Sequence, residues 1–260
     1  MRESWDRRIE RANQLAAAGD EAGELLTFYA QLLGCQKELA LSISGGRRQP
    51  GGLLQQDLTI FRNQLPRFVM AIARGAPAAL AIDARQLLNG PPEAIDDRLL
   101  EWWQAPSDHD FFPKAALQPY AQWLADTGVS PRDRPLVAGD NRCAFCGGAP
   151  QLSILHGSSG LEGGGRLLQC STCLTTWPYR RVRCAACGEE DELKLGYFHA
   201  PSWEHVRIDA CDTCRSYLKT IDLTRLGLAV PLVDEVAAAS LDVWAAEQGY
   251  RKIERNLVGL

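Results

Sequence analysis

Cys143-Ala144-Phe145-Cys146-Gly147, Cys170-Ser171-Thr172-Cys173, Cys184-Ala185-Ala186-Cys187-Gly188 and Cys211-Asp212-Thr213-Cys214 form four Cys-x-x-Cys knuckles. Twenty-three residues separate Cys146 from Cys170, and 23 separate Cys187 from Cys211. Adding 41 therefore carries the first four cysteines onto the second four without an insertion. Their neighbours follow: Ala144 maps to Ala185, Gly147 to Gly188, Leu152 to Leu193, Ile154 to Leu195, Leu167 to Ile208 and Thr172 to Thr213. One small unit has been duplicated, and a repeat of this kind constrains the fold before any single element does.

A Cys-x-x-Cys turn sets two sulfurs on one side of a tight loop. Two such loops close a tetrahedron around one ion, with metal–sulfur distances of about 2.3 Å for zinc. Gly147 and Gly188 stand where the knuckle exit calls for a positive φ. Between the knuckles, Gln151-Leu152-Ser153-Ile154-Leu155 and Lys194-Leu195-Gly196-Tyr197-Phe198 alternate enough to make short strands. Units this small bury too little apolar surface to fold alone, so a metal would hold them. Four knuckles allow three pairings, of which the duplication favours first with second and third with fourth. Four sulfurs per site leave no open coordination position, which points to structural or electron-carrying sites rather than hydrolytic ones. Zinc and iron both accept four thiolates, so the spacing does not name the metal. A thioredoxin-like use of the motifs would need a strand–helix context that is absent here.

Outside this region the chain changes character. It has 260 residues, 46% hydrophobic and 23% charged, with nine cysteines and a net charge of -4. That composition is globular. No window approaches eighteen consecutive apolar residues, which excludes a transmembrane helix. The charged start Met1-Arg2-Glu3-Ser4-Trp5-Asp6-Arg7-Arg8 lacks the apolar stretch of a secretory signal, so a cytoplasmic location is expected. Only Cys35 lies outside residues 143–214. Before them, Trp5, Ile9, Ala12 and Leu15-Ala16 mark one helical face, and Leu25 to Leu41 continue the 3.6-residue rhythm to Gly45-Gly46. Further helices are expected around 53–74, broken or kinked at Pro66, and around 77–89, 92–104 and 114–126. Asp126 to Pro135 is rich in turn formers and reads as a connection. Pro231 opens one further helix, with Val233, Val236, Ala239-Ser240 and Val243-Trp244 on its apolar stripe and Gly249 at its end. The expected fold class is α+β: a helical domain (1–130), two four-cysteine modules of rubredoxin or zinc-ribbon type (141–182 and 183–224) and a C-terminal helix and tail (225–260).

Other residues take plainer readings. With four thiolates assigned to each site, His156, His199 and His205 are spare, at the surface or beside the ligands. Arg180-Arg181-Val182-Arg183 adjoins Cys184 and reads as compensation for thiolate charge or as a partner contact. Residues 141–224 carry nine basic and nine acidic side chains, which argues against a nucleic-acid surface. Trp102-Trp103 and Phe111-Phe112 read as packing, and Cys35 as a small apolar residue. Gly157-Ser158-Ser159-Gly160 and Gly163-Gly164-Gly165 read as a hairpin tip rather than a phosphate loop. No nucleophile–base pair, zinc-protease motif or dinucleotide fingerprint is present, so an enzyme is not expected.

The knuckles, with Tyr217-Leu218-Lys219 after the last, Asp222, and the tail Trp244-Ala245-Ala246-Glu247-Gln248-Gly249-Tyr250, resemble the FdhE family of formate dehydrogenase accessory proteins. The specific part of the resemblance covers residues 143–260; the helical half matches only in character. Ala144 and Ala185 stand where members often carry proline. The resemblance implies a cytoplasmic assembly factor that binds the catalytic subunit of a molybdopterin-containing formate dehydrogenase. It also implies two rubredoxin-type iron ions, one held by Cys143, Cys146, Cys170 and Cys173, the other by Cys184, Cys187, Cys211 and Cys214, with zinc as the alternative. Two other classes stay open at this level: a nucleic-acid-binding zinc ribbon and a thiol–disulfide redox protein.

Overall fold

The computed structural model describes residues 4–18, 22–46, 49–137, 139–157 and 165–260. Seven α-helices come first: α1 (Trp5–Ala17), α2 (Gly23–Ser44), α3 (Leu54–Phe61), α4 (Leu65–Ala73), α5 (Ala78–Asn89), α6 (Ala94–Gln104) and α7 (Phe111–Thr127). The expected helix over 53–74 is two helices, separated by a 3-10 turn at Arg62–Gln64, so that Pro66 falls in the first turn of α4, where its missing N–H costs nothing. α7 begins earlier than its sequence pattern indicated and is the buried axis of this half, with Phe112 to Gln122 all buried. Pro119 in its interior cannot donate to the carbonyl four residues back. Gln36 of α2 supplies the missing donor, its side-chain amide lying 2.8 Å from the Ala115 oxygen. Trp102, Trp103 and Phe112 are core residues, as their pattern predicted.

The connection after α7 is tied to the helices rather than loose. The Asp133 carboxylate accepts from the Leu54 amide at the start of α3 (2.6 Å) and from the Trp103 indole (2.9 Å). Six strands of one sheet follow: β1 (Pro150–Leu155), β2 (Arg166–Cys170), β3 (Thr176–Tyr179), β4 (Leu195–His199), β5 (Val206–Cys211) and β6 (Ser216–Asp222). Their order is β3-β2-β1-β6-β5-β4. Each repeat is thus a three-stranded antiparallel meander, and the two are joined by parallel pairing of β1 with β6 (Leu152 opposite Lys219, Ile154 opposite Ile221). The glycine-rich tip between β1 and β2 lies outside the described residues, apart from Gly157 and Gly165.

The repeats are not superimposable throughout. The 41-residue offset would place Leu195 opposite Ile208, as Ile154 is opposite Leu167. Instead Leu195 faces Cys211 and Phe198 faces Ile208. Glu192–Lys194 are taken into a 3-10 turn capped by Asp191, whose carboxylate accepts from the Leu193 amide. Leu193 is 94% exposed, whereas its counterpart Leu152 is fully buried.

The C-terminal segment is also two helices, not one: α8 (Pro231–Ala237) and α9 (Ala239–Glu247), broken at Ala238 (ψ 42°), and followed by a short strand β7 (Arg251–Lys252) that pairs with β6. The break has a cause in β6. The ammonium of fully buried Lys219 takes the carbonyls of Glu235 and Ala238, which competes with helical amides for those acceptors. Lys219 and Lys252 face Glu235 and Asp242 in a quartet with no net formal charge, all buried, and Tyr217 and Asn256 donate to the two carboxylates. Burial pushes the Lys219 ammonium below its usual range, opposed by the carboxylates. Such a group is tolerated only when its hydrogen bonds are complete.

α8 joins the halves. Asp234 is fully buried, accepts from the Val230 amide that opens the helix (2.8 Å), and forms a forked pair with Arg11 of α1 (2.6 and 3.1 Å). The same carboxylate meets the imidazole of His205 at 2.8 Å. His205 is therefore neither a surface residue nor beside the cysteines, as the sequence had indicated, but part of the seam between helices and sheet. Burial alone would raise the Asp234 carboxyl; the hydrogen bonds from His205, Arg11 and Val230 outweigh it and hold the group below its ordinary value of 3.8. A carboxyl depressed in this way contributes stability that is fully present above pH 3.8 and is lost as pH falls through its folded value. Asp234→Asn should cost about 3 kcal/mol at pH 7, as expected for breaking a buried pair. Its deficit relative to the unchanged chain should shrink as urea melts are repeated down toward pH 3.

Candidate metal centres

The knuckles close in pairs, first with second and third with fourth. Within each set, all four sulfurs lie within 4.8 Å of one another. In the first, Cys143 Sγ lies 3.6 Å from Cys173 Sγ, and Cys146 Sγ lies 3.4 Å from Cys170 Sγ. In the second, the Cys184–Cys214 and Cys187–Cys211 separations are both 3.7 Å. A tetrahedron with metal–sulfur bonds of about 2.3 Å has edges of about 3.8 Å. The eight cysteines predicted from spacing thus come together as two sets able to hold one ion each, and no disulfide links them.

The loop backbone explains the fit. In each copy the glycine after the second cysteine donates to the carbonyl of the first: Gly147 to Cys143 at 2.8 Å and Gly188 to Cys184 at 3.0 Å. Their φ angles are +72° and +81°, the left-handed region that glycine enters without a Cβ clash. A second pair escaped the sequence reading. Leu174 and Arg215, 41 residues apart and each following the last cysteine of its set, both have positive φ (56° and 54°). Neither residue type advertises that conformation.

The amide of Thr172 points at Cys170 Sγ (3.4 Å) and that of Ala186 at Cys184 Sγ (3.3 Å), directions that favour thiolate character. Burial pushes the Cys170 and Cys184 thiols up, whereas Cys143 is pulled down by hydrogen bonds from Cys146, Cys170 and Cys173. At Cys214, burial opposes ionisation, yet hydrogen bonds from Ser216 and from Cys187 and Cys184 bring the thiol down to about 7. A cation with four such ligands would replace these shared protons.

The surroundings differ sharply between the copies. The first set lies in the same hydrophobic core as the helices. Gln118 of α7 donates to the Ser171 carbonyl between its ligands (2.9 Å), and Arg134 donates to Thr172 Oγ1 (3.2 Å) while stacking on Trp103 (4.6 Å). Gly148 closes one side: a Cβ there would meet Cys170 Sγ at 2.6 Å. Its counterpart in the second copy is Glu189, an exchange visible in the sequence as Gly147-Gly148 against Gly188-Glu189.

The remaining candidates fall elsewhere. His156 and His199 do not enter either set among the described residues. Arg183 pairs with Asp140 (2.6 Å) and Glu190 (3.5 Å), and Arg180 with Glu190 (3.0 Å), so these guanidiniums are engaged by carboxylates and not by the sulfurs. Cys35 is half-buried on α2, and burial, helped by Glu38, raises its thiol.

Gly148→Ala should disrupt the first set, halving metal content from about two ions to about one per chain, while Glu189→Ala should leave both. Elemental analysis of the two purified variants checks this.

Residues 182–258 match the protein family described as "FdhE, C-terminal domain". An FdhE homolog of Aquifex aeolicus is 40% identical over 149 residues, 57% of this chain; the matched part spans only about half (51%) of that relative. An FdhE homolog of Pseudomonas putida is 27% identical across 98% of this chain and 86% of its own length. The crystal structure of the FdhE protein from Pseudomonas aeruginosa covers 99% of this chain and 97% of its own, with a TM-score of 0.68 at 24% identity, and so shares the fold. The resemblance read from the knuckles and the tail is borne out: the chain is similar to FdhE proteins over nearly its whole length, and its residues 182–258 match the FdhE C-terminal domain.

Proposed function

We propose that the chain is a cytoplasmic accessory factor for the maturation of formate dehydrogenase. It acts by binding that enzyme's catalytic subunit and does not itself turn over a substrate. The observation that carries this reading is the FdhE-like sequence over nearly the whole chain, with two four-cysteine sets inside it. Residues 1–130 would supply a helical unit, 141–182 and 183–224 the two metal modules, and 225–260 the closing segment. Among the described residues no helix is long and apolar enough to cross a membrane.

Cys143, Cys146, Cys170 and Cys173 would hold one ion and Cys184, Cys187, Cys211 and Cys214 the other, iron of rubredoxin type or zinc in its place. When bound, such an ion supplies a rigid four-sulfur crosslink and, if iron, a one-electron couple. The chain's own residues do the rest. Gly147 and Gly188 turn the loops, the Thr172 and Ala186 amides favour thiolates, and the joined meanders fix the surface offered to a partner. With four sulfurs per ion, no position is left for a substrate.

Protein purified without oxygen or added metal should contain about two ions per chain, with ferric–thiolate colour developing in air if they are iron. Cys143→Ser and Cys184→Ser should each lose the ion of their own set and fail to capture the purified catalytic subunit of formate dehydrogenase. Capture by a metal-free variant at the level of the unchanged chain would rule the metal scaffold out of partner binding.

A further inference from the structure

We infer that the two cysteine sets serve different ends. The first is a permanent fastener between the helical half and the sheet. The second is an exchange port, through which a thiophilic divalent cation enters from solvent and leaves again, with Cys187 as the ligand that opens. The inference rests on the metal-binding reading above and goes beyond it by dividing the work between the sites.

Ligand type and loop conformation do not distinguish the sets. Both have four cysteines at equal spacing, glycines of matching φ, and a positive-φ residue after the last cysteine. What differs is cover. In the first set Cys143 is 2% exposed, and Cys146, Cys170 and Cys173 are fully buried. In the second, Cys184 and Cys211 are buried, Cys214 is half-buried and Cys187 is exposed.

Position by position, the duplication shows how cover was gained on one side only. Gly148 presses against Cys170 Sγ, whereas Glu189 turns its carboxylate to the Thr213 hydroxyl (2.6 Å) at the surface. The Ser171 carbonyl is taken by Gln118 of α7, whereas the exposed carboxylate of the corresponding Asp212 accepts from Arg215 and Tyr250 (2.7 Å each). Leu174 is fully buried against Leu152, Ile154 and Leu232, whereas Arg215 is exposed and lies over the Tyr250 ring (3.9 Å). Among the described residues, no helix covers the second set in the way α7 covers the first.

Release of a metal from four thiolates requires that one sulfur detach and take up a proton or yield to an incoming ligand, and both must arrive from solvent. An exposed sulfur meets that condition and a fully buried one does not. The first set can therefore open only if α7 and the Arg134–Trp103 stack move away. At the second, Cys187 can detach while Cys184, Cys211 and Cys214 keep hold, and reload without disturbing the core.

The test uses the full chain loaded with two zinc ions and mixed with excess 4-(2-pyridylazo)resorcinol, while circular dichroism follows the helices. One equivalent should leave about tenfold faster than the other or more, with no change in helical signal. Iodoacetamide added at that stage should label Cys187 and Cys214 and leave Cys143, Cys146, Cys170 and Cys173 unmodified, as read by peptide mass mapping. Cys187→Ser should retain one zinc, released at the slow rate, in a natively helical chain. Two equivalents leaving at one rate, or a fast rate for the zinc remaining in Cys187→Ser, would overturn the division of labour while leaving the metal sites intact. A folded chain that takes up no zinc would instead overturn the metal reading on which both rest.

Discussion

Burial of the first four-cysteine set beneath α7 is the joint on which both halves of the molecule depend. Its sulfurs share one apolar core with Trp103, Leu117 and Tyr120, and between them the Ser171 carbonyl is satisfied by Gln118 of α7 and the Thr172 hydroxyl by Arg134 of the connection. A buried carbonyl or hydroxyl without a partner is costly, so these two side chains fix how the sheet sits on the helices. The same logic runs deeper into the helical half. Pro119 leaves the Ala115 carbonyl without a helical donor, Gln36 fills the gap, and Gln36 also reaches Gln118 at 3.3 Å. A single chain of amides thus links α2, α7 and the first cysteine loop.

From this joint the duplicated part extends as one sheet. Two meanders placed side by side would each present an open edge; parallel pairing of β1 with β6 removes two of those edges and buries both strands. The second meander reaches solvent at β4, and its cysteine set is correspondingly open. Repeats with equal cysteine spacing become unequal in exposure because α7 meets the cysteine loops of the first, whereas α8 and α9 meet the strands of the second.

The C-terminal segment locks the arrangement with charge rather than with apolar surface alone. Lys219, in the middle of a central strand, would be untenable without Asp242, Glu235 and the carbonyls it takes from the break between α8 and α9. Asp234, one residue before Glu235, ties the same helix to Arg11 and His205. Adjacent carboxylates on a seven-residue helix therefore face opposite ways, one into the sheet and one toward α1.

Much of this was legible in the sequence, and its limits are physical. The knuckle spacing, the duplication, the pairing of the knuckles, Gly147 and Gly188, the strand segments and most helices rest on local geometry: two sulfurs per turn, a 3.6- or 2-residue period, a left-handed exit. Local signals of that kind survive in a single sequence. The break at Ala238, the seam role of His205 and the pairing of Arg183 with Asp140 depend on residues far away in the chain, whereas the turn that shifts β4 and the positive φ of Leu174 and Arg215 are local features without a distinctive residue type. The sequence by itself determined two equivalent four-sulfur sets. Only the tertiary structure decided that they are not equivalent, because exposure is set by what packs against a loop, and α7 packs against one copy and not the other.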